Sequence, residues 1–309
     1  MKYFIITVDT EGDNLWGWSY GKTITTHNTL YLQRFQDLCD QFSYKPVWLT
    51  NWEMACDDKY VNFIKTNIDN CEVGMHLHAW NNPPEFDIGL TEYSGAPYLI
   101  EYPVQVMEQK IAMITEKINS SFGVKPVSHR AGRWAVNGQY LKLLYKYGYK
   151  VDCSITPGIN WRSSRGGTVG SGGADYRDEK NMVSTRNGIV EIPVNTYTNH
   201  HMFLDKSNSV KHNIKQALTA IDGRVSYLRP NGRNLKELKW IVDQNYKSEK
   251  EDYLMFMIHS SELMPGGSPL FRTKESIDKL YKDIEALYTY MKNRYCGIRL
   301  NEYIDQHGL

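Results

Sequence analysis

The sequence predicts a parallel α/β barrel, and three observations carry that reading. Short apolar, β-branched runs alternate with segments of helical apolar spacing, the pattern of parallel β/α units. One run, 253–258, is almost continuously apolar, as expected of a parallel strand covered on both faces. Residues capable of chemistry (Asp9, His76 with His78, Arg130, Asp152 and His259) each fall at or just past the C-terminal part of a predicted strand. In a parallel barrel those strand ends converge on one rim, where active sites are built.

The elements follow in order. Residues 2–8 form a buried strand that stops at the acidic cluster Asp9-Thr10-Glu11-Gly12-Asp13. Leu30, Phe35, Leu38 and Phe42 space a helix over 30–42, and a strand follows at 46–50. Residues 60–68 predict a helix and 71–78 a strand. The stretch 81–102, with Pro83-Pro84 and Gly95-Ala96-Pro97, reads as a long loop over the site. A helix at 104–121, a strand at 127–134, a helix at 139–147 stopped by Gly148, and a short strand before Asp152 continue the alternation. The Gly- and Ser-rich stretch from 159 to 179 reads as an exposed loop or insertion, and its glycines lack the spacing of a dinucleotide loop. Strands at 189–194 and 253–258 and helices at 210–221, 235–245 and 274–292 complete the chain. The last helix presents Ile277, Leu280, Ile284, Leu287 and Met291 on one face.

Composition narrows the function. At 309 residues the chain suits one barrel domain, 1–309, with insertions near 81–102 and 159–187. A net charge of +1 gives no bulk attraction to nucleic acid or an anionic membrane. No apolar run reaches the ~18–20 residues of a membrane span, and the N-terminus lacks the features of a signal peptide. Five scattered cysteines without C-x-x-C spacing read as reduced thiols, so the expected location is cytoplasmic.

In a strand, His76 and His78 point to the same face, with Cα atoms about 6.6 Å apart from about 3.3 Å of rise per residue. Two imidazoles so placed can share a metal ion. His129, His200 and His201 are spare ligand candidates, for each of which the reading as a plain loop histidine is favoured. Asp9 and Asp152 could instead cap turns, and Arg130 or Arg133 could form structural ion pairs. Trp80, Trp134 and Trp161 could line a sugar site or pack in the core.

Taken together the motifs resemble the polysaccharide deacetylases, the carbohydrate esterases with a NodB-type domain, and within them a divergent branch found among bacterial surface-polysaccharide genes. The matching residues are Thr7-Val8-Asp9-Thr10-Glu11-Gly12, Gly74-Met75-His76-Leu77-His78, Arg130-Ala131-Gly132-Arg133-Trp134, Val151-Asp152-Cys153-Ser154 and Ile258-His259-Ser260-Ser261-Glu262. This chain departs from the family in two places. It has Asp9-Thr10 where the family has adjacent aspartates, and its histidines are spaced i, i+2 rather than i, i+4.

The resemblance implies a distorted (β/α) barrel that removes an N-acetyl group from an amino sugar with one divalent metal ion, Zn2+ or alternatively Co2+, Ni2+ or Fe2+. His76 and His78 would be ligands, with Glu11 or Asp9 as the carboxylate. Asp9 would be the general base with Arg130 beside it. His259 would be the general acid, with Asp152 as its partner. Trp80, Trp134 and Arg133 would contact the sugar. The alternatives are a small-molecule amidase on the same fold and an inactive glycan-binding relative.

Overall fold

The computed structural model describes residues 1–17, 21–89, 95–201, 203, 221 and 223–309. Its strands are β1 (Lys2–Thr10), β2 (Val47–Thr50), β3 (Glu72–Leu77), β4 (Ser128–Ala131), β5 (Val151–Asp152), β6 (Ser184–Arg186), β7 (Ile189–Glu191), β8 (Thr196–Asn199), β9 (Arg224–Tyr227), β10 (Tyr253–His259) and β11 (Tyr295–Gly297). The main sheet has the order β10-β1-β2-β3-β4-β5-β7-β6, with β11 also paired to β1. All its pairings are parallel except β6 with β7. The sheet curls into the distorted (β/α) barrel expected from the sequence. β8 and β9 form a separate antiparallel pair.

Strand alternation sorts the side chains into two cores. Ile5, Val47, Leu49, Val151, Val190, Tyr253 and Met255 share one apolar cluster inside the curl. Their sequence neighbours Phe4, Ile6, Trp48, Leu254 and Phe256 join a larger cluster between the sheet and the helices. Across the open side, side chains stand in for a ladder. Asn195 Oδ1 accepts from the Met255 amide at 2.9 Å, and the Tyr253 hydroxyl donates to Pro193 O at 2.7 Å.

Among the described residues the α-helices are α1 (Leu32–Gln41), α2 (Trp52–Ala55), α3 (Asp58–Asn67), α4 (Val104–Phe122), α5 (Gly138–Lys146), α6 (Leu235–Lys247), α7 (Lys274–Met291) and α8 (Leu300–His307). On α7 the five apolar residues that predict the helix are all buried. Full burial of such a side chain contributes about 1.5–3 kcal/mol. α8 puts Leu300, Tyr303 and Ile304 into the inner cluster beside Tyr253, closing the end of the barrel opposite the site. Sequence reading missed the eight-residue α8, and also α2 and the short strands β6, β8, β9 and β11, elements of three or four residues that carry too little periodicity to register. The helix expected at 210–221 falls almost wholly outside the described residues. All five cysteines are free.

Candidate active site

Parity within the strands decides what reaches the site. Asp9, His76, Arg130 and His259 occupy the inward-facing positions of β1, β3, β4 and β10, with Asp9 in register with His259 and His76 with Arg130. Asp152 has the other parity. It pairs in register with His129 and faces outward, toward the helices.

Glu11, His76 and His78 form a buried cluster whose donor atoms all lie within 4.8 Å of one another. Glu11 Oε2 is 2.7 Å from His78 Nε2 and 3.6 Å from His76 Nε2. Two donors about 2.0–2.1 Å from one tetrahedral or octahedral ion stand about 3–3.4 Å apart, so the three side chains fit a shared divalent cation. The other ring nitrogen of His76, Nδ1, is 2.9 Å from Arg130 O, which leaves Nε2 for the ion. Burial pushes the Glu11 carboxyl up, but the hydrogen bonds to His76 and His78 outweigh it and hold the group well below the usual carboxylate range. The carboxylate is therefore ionised, as a ligand must be. Gly132 makes room for His78: a Cβ there would lie 2.5 Å from Leu77 O and 2.9 Å from His78 Nδ1.

Asp9 does not join that cluster. Its Oδ1 accepts from Arg130 Nη1 at 2.6 Å. Burial raises the Asp9 carboxyl, but the charges of Arg130, His76 and His259 and the hydrogen bond from Arg130 together overcome it, so the net direction is downward. Arg130 is itself fully buried and donates from Nε to Cys153 O at 3.0 Å. His259 Nε2 lies 3.9 Å from Asp9 Oδ2. Asp9, Glu11, His76, His78 and His259 thus line one cavity of about 510 Å3.

The partnership expected between Asp152 and His259 is absent. Asp152 Oδ1 is 2.6 Å from His129 Nδ1, whose Nε2 is 2.8 Å from the Tyr140 hydroxyl on α5. The groups at His259 Nδ1 are instead Glu262 Oε2 at 3.2 Å and Arg229 Nη2 at 3.1 Å. Glu262 follows its histidine by three residues and accepts from the His259 amide in a capping turn, a signal readable in His-Ser-Ser-Glu. Nothing local in the sequence points to Arg229.

Trp16, Trp80, Trp134, Trp161 and Tyr227 line the same cavity. Trp80 packs on His78 with ring centroids 4.2 Å apart, and Trp134 lies parallel to Trp161. Arg133 also reaches the cavity, but its guanidinium is committed to the surrounding loops. It donates to Ala96 O, to Ser164 Oγ at 2.8 Å and to Arg165 O at 2.6 Å, and lies over the Tyr98 ring. Arg133 and Trp134 both hold positive φ, 57° and 66°. Such backbone costs on the order of 1–3 kcal/mol per residue and is found where surroundings force it. Of the spare histidines, His129 serves Asp152 and His201 packs on Trp240. Neither His200 nor His201 belongs to the metal-competent cluster.

No family model and no curated protein matches the sequence. Solved structures do. A provisional polysaccharide deacetylase from Mycobacterium smegmatis superposes with a TM-score of 0.55 at 13% identity, over 99% of this chain and 90% of that one. A provisional glycoside hydrolase/deacetylase from Parabacteroides distasonis gives 0.59 at 10% identity, over 98% and 70%. A GH57-type branching enzyme from Pyrococcus horikoshii gives 0.55 at 8% identity, over 99% and 70%. The chain therefore has the fold of the polysaccharide deacetylases, which the branching enzyme shares. Among the described residues no helix is long and apolar enough to cross a membrane.

Proposed function

We infer that this chain is a metal-dependent hydrolase that removes an N-acetyl group from an amino sugar of a bacterial surface glycan or its precursor. The observation that carries the reading is the meeting, in one cavity, of a Glu-His-His cluster with a separate Asp–Arg pair and a separate histidine. Glu11, His76 and His78 would hold the ion, with Zn2+ the simplest occupant and Co2+, Ni2+ or Fe2+ suited to the same ligands. A divalent ion bound there supplies Lewis acidity toward the acetyl carbonyl and the attacking water.

The chain's own groups do the rest. Asp9, kept ionised by Arg130, takes the proton of the attacking water. His259 Nε2 gives a proton to the departing amine, without which an amide nitrogen is a very poor leaving group. Trp80 and Trp134 offer aromatic faces to the apolar side of a sugar ring, with Trp16, Trp161 and Tyr227 beside them. Parallel Asp9→Asn and Glu11→Gln variants, assayed for acetate release from N-acetylated amino sugars and for metal by elemental analysis, test the reading. Near one equivalent of metal and acetate release in wild type support it. Wild type that neither holds metal nor takes up added zinc or cobalt overturns it.

A further inference from the structure

The surroundings of His259 carry more than a general-acid assignment. Arg229 follows β9 and sends Nη2 to two acceptors at once, Glu262 Oε1 at 2.9 Å and His259 Nδ1 at 3.1 Å. A guanidinium only donates, so the Nδ1 that meets it must present a lone pair. Glu262 is fully buried and lies on the same nitrogen, with Oε2 3.2 Å away. Nδ1 therefore faces a fixed donor and a fixed acceptor. On the opposite side of the ring, Nε2 points toward Asp9 and the cavity, and the Trp16 ring packs against the imidazole with centroids 5.0 Å apart.

The geometry points to Arg229 and Glu262 as a pair of positioning residues that keep a proton on Nε2 of His259 in both of its charge states. In the neutral ring, Arg229 donates to Nδ1 and the one imidazole proton stands on Nε2. In the cationic ring, the new Nδ1 proton goes to Glu262 while Nε2–H is unchanged. Either way the cavity, and the Asp9 carboxylate behind it, meets an N–H rather than a lone pair. In the deacetylation reading, on which this last consequence rests, the imidazolium passes its Nε2 proton to the amine nitrogen as the C–N bond breaks. His259 is left neutral with its Nδ1 proton held by Glu262. Loss of that proton to solvent and uptake of another at Nε2 restore the resting tautomer, which Arg229 selects.

The test reads the tautomer directly and needs no substrate. The full chain is labelled with 15N-histidine and examined by NMR above the range in which imidazole protonates, with the His259 signals taken as those missing from His259→Gln. Wild type is expected to show a bare Nδ1 and a protonated Nε2. In Arg229→Met, Glu262 accepts unopposed, so the proton moves to Nδ1 in most molecules, while Arg229→Lys, which restores a charged donor, keeps it on Nε2. A protonated Nδ1 in the neutral wild type overturns the proposal, as does a folded Arg229→Met protein with an unchanged tautomer. If Arg229→Met fails to fold, wild type and Arg229→Lys still decide. Absence of acetate release from every acetamido sugar removes the deacetylase reading but leaves the tautomer result standing, so the two failures are separable.

Discussion

Asp152 and His129 face each other across β4 and β5 at 2.6 Å on the helix side of the sheet, both without solvent exposure. Asp152 also accepts from Ser154 Oγ at 2.7 Å. The pair thus fastens strands together outside the cavity. Asp152→Asn is expected to lower stability by about 2–3 kcal/mol, the scale of a buried charged hydrogen bond. Metal content should stay at the wild-type level. Denaturant melts beside elemental analysis check this; loss of metal with unchanged stability would return Asp152 to the site.

The two carboxylates of the first motif are separable by their partners. Glu11 faces the histidines and Asp9 faces Arg130. Glu11→Gln should lose most of the metal. Asp9→Asn should retain it while acetate release falls about 10²–10⁴-fold, the usual scale for a general base. The reverse pattern would make Asp9 the ligand.

Gly132→Ala places a methyl group against Leu77 O and His78 Nδ1. Backbone cannot yield there as a flexible side chain would, so His78 must shift. Stability should fall by about 1–3 kcal/mol. Metal affinity should weaken about 10–100-fold, as when the support of a ligating histidine is lost. Competition with a chelator measures it, and wild-type affinity would show that the ring has room to spare.

Glu262 predicts an acid-dependent loss of stability. Burial raises its carboxyl, but the charge of Arg229 and the bonding to His259 outweigh that and bring it down to about 2, from 4.5. A carboxyl lowered on folding contributes stability that is complete above the unfolded value and lost as pH falls through the folded one. Between pH 5 and pH 2 that amounts to about 3 kcal/mol, at about 1.4 kcal/mol per unit. The gap in unfolding free energy between wild type and Glu262→Gln should narrow by about that amount over this window. Urea melts across the range give the gap directly, and parallel curves would refute the assignment.

The alternation of strands and helices was legible because each long element repeats its apolar spacing several times, as α4 and α7 do. The gathering of Asp9, His76, His78, Arg130 and His259 at the strand ends could likewise be read from position. The fate of Asp152 could not. Its strand is two residues long, and one residue of parity separates the cavity from the helix layer. Arg229 and Trp16 come from segments without periodicity, and only the closed fold brings them to His259. Arg133 was legible as part of the site but not in its bonding, because its partners Ala96, Ser164 and Arg165 lie in loops remote in sequence.

The fastening of β10 divides the site mechanically. β1, β3 and β4, which carry Asp9, His76 and Arg130, each have a laddered strand on both sides. Among the described residues β10 has a ladder only on its β1 side, and elsewhere it is pinned by single contacts such as Asn195 to Met255 and Met257 to Leu228. Backbone held by isolated hydrogen bonds opens at lower free energy than backbone in a continuous ladder. Amide exchange along the outer edge of β10 should therefore outpace that of β3. The cluster that would grip an ion rests on the stiff part of the wall, and the histidine that would follow a departing amine rests on the compliant part.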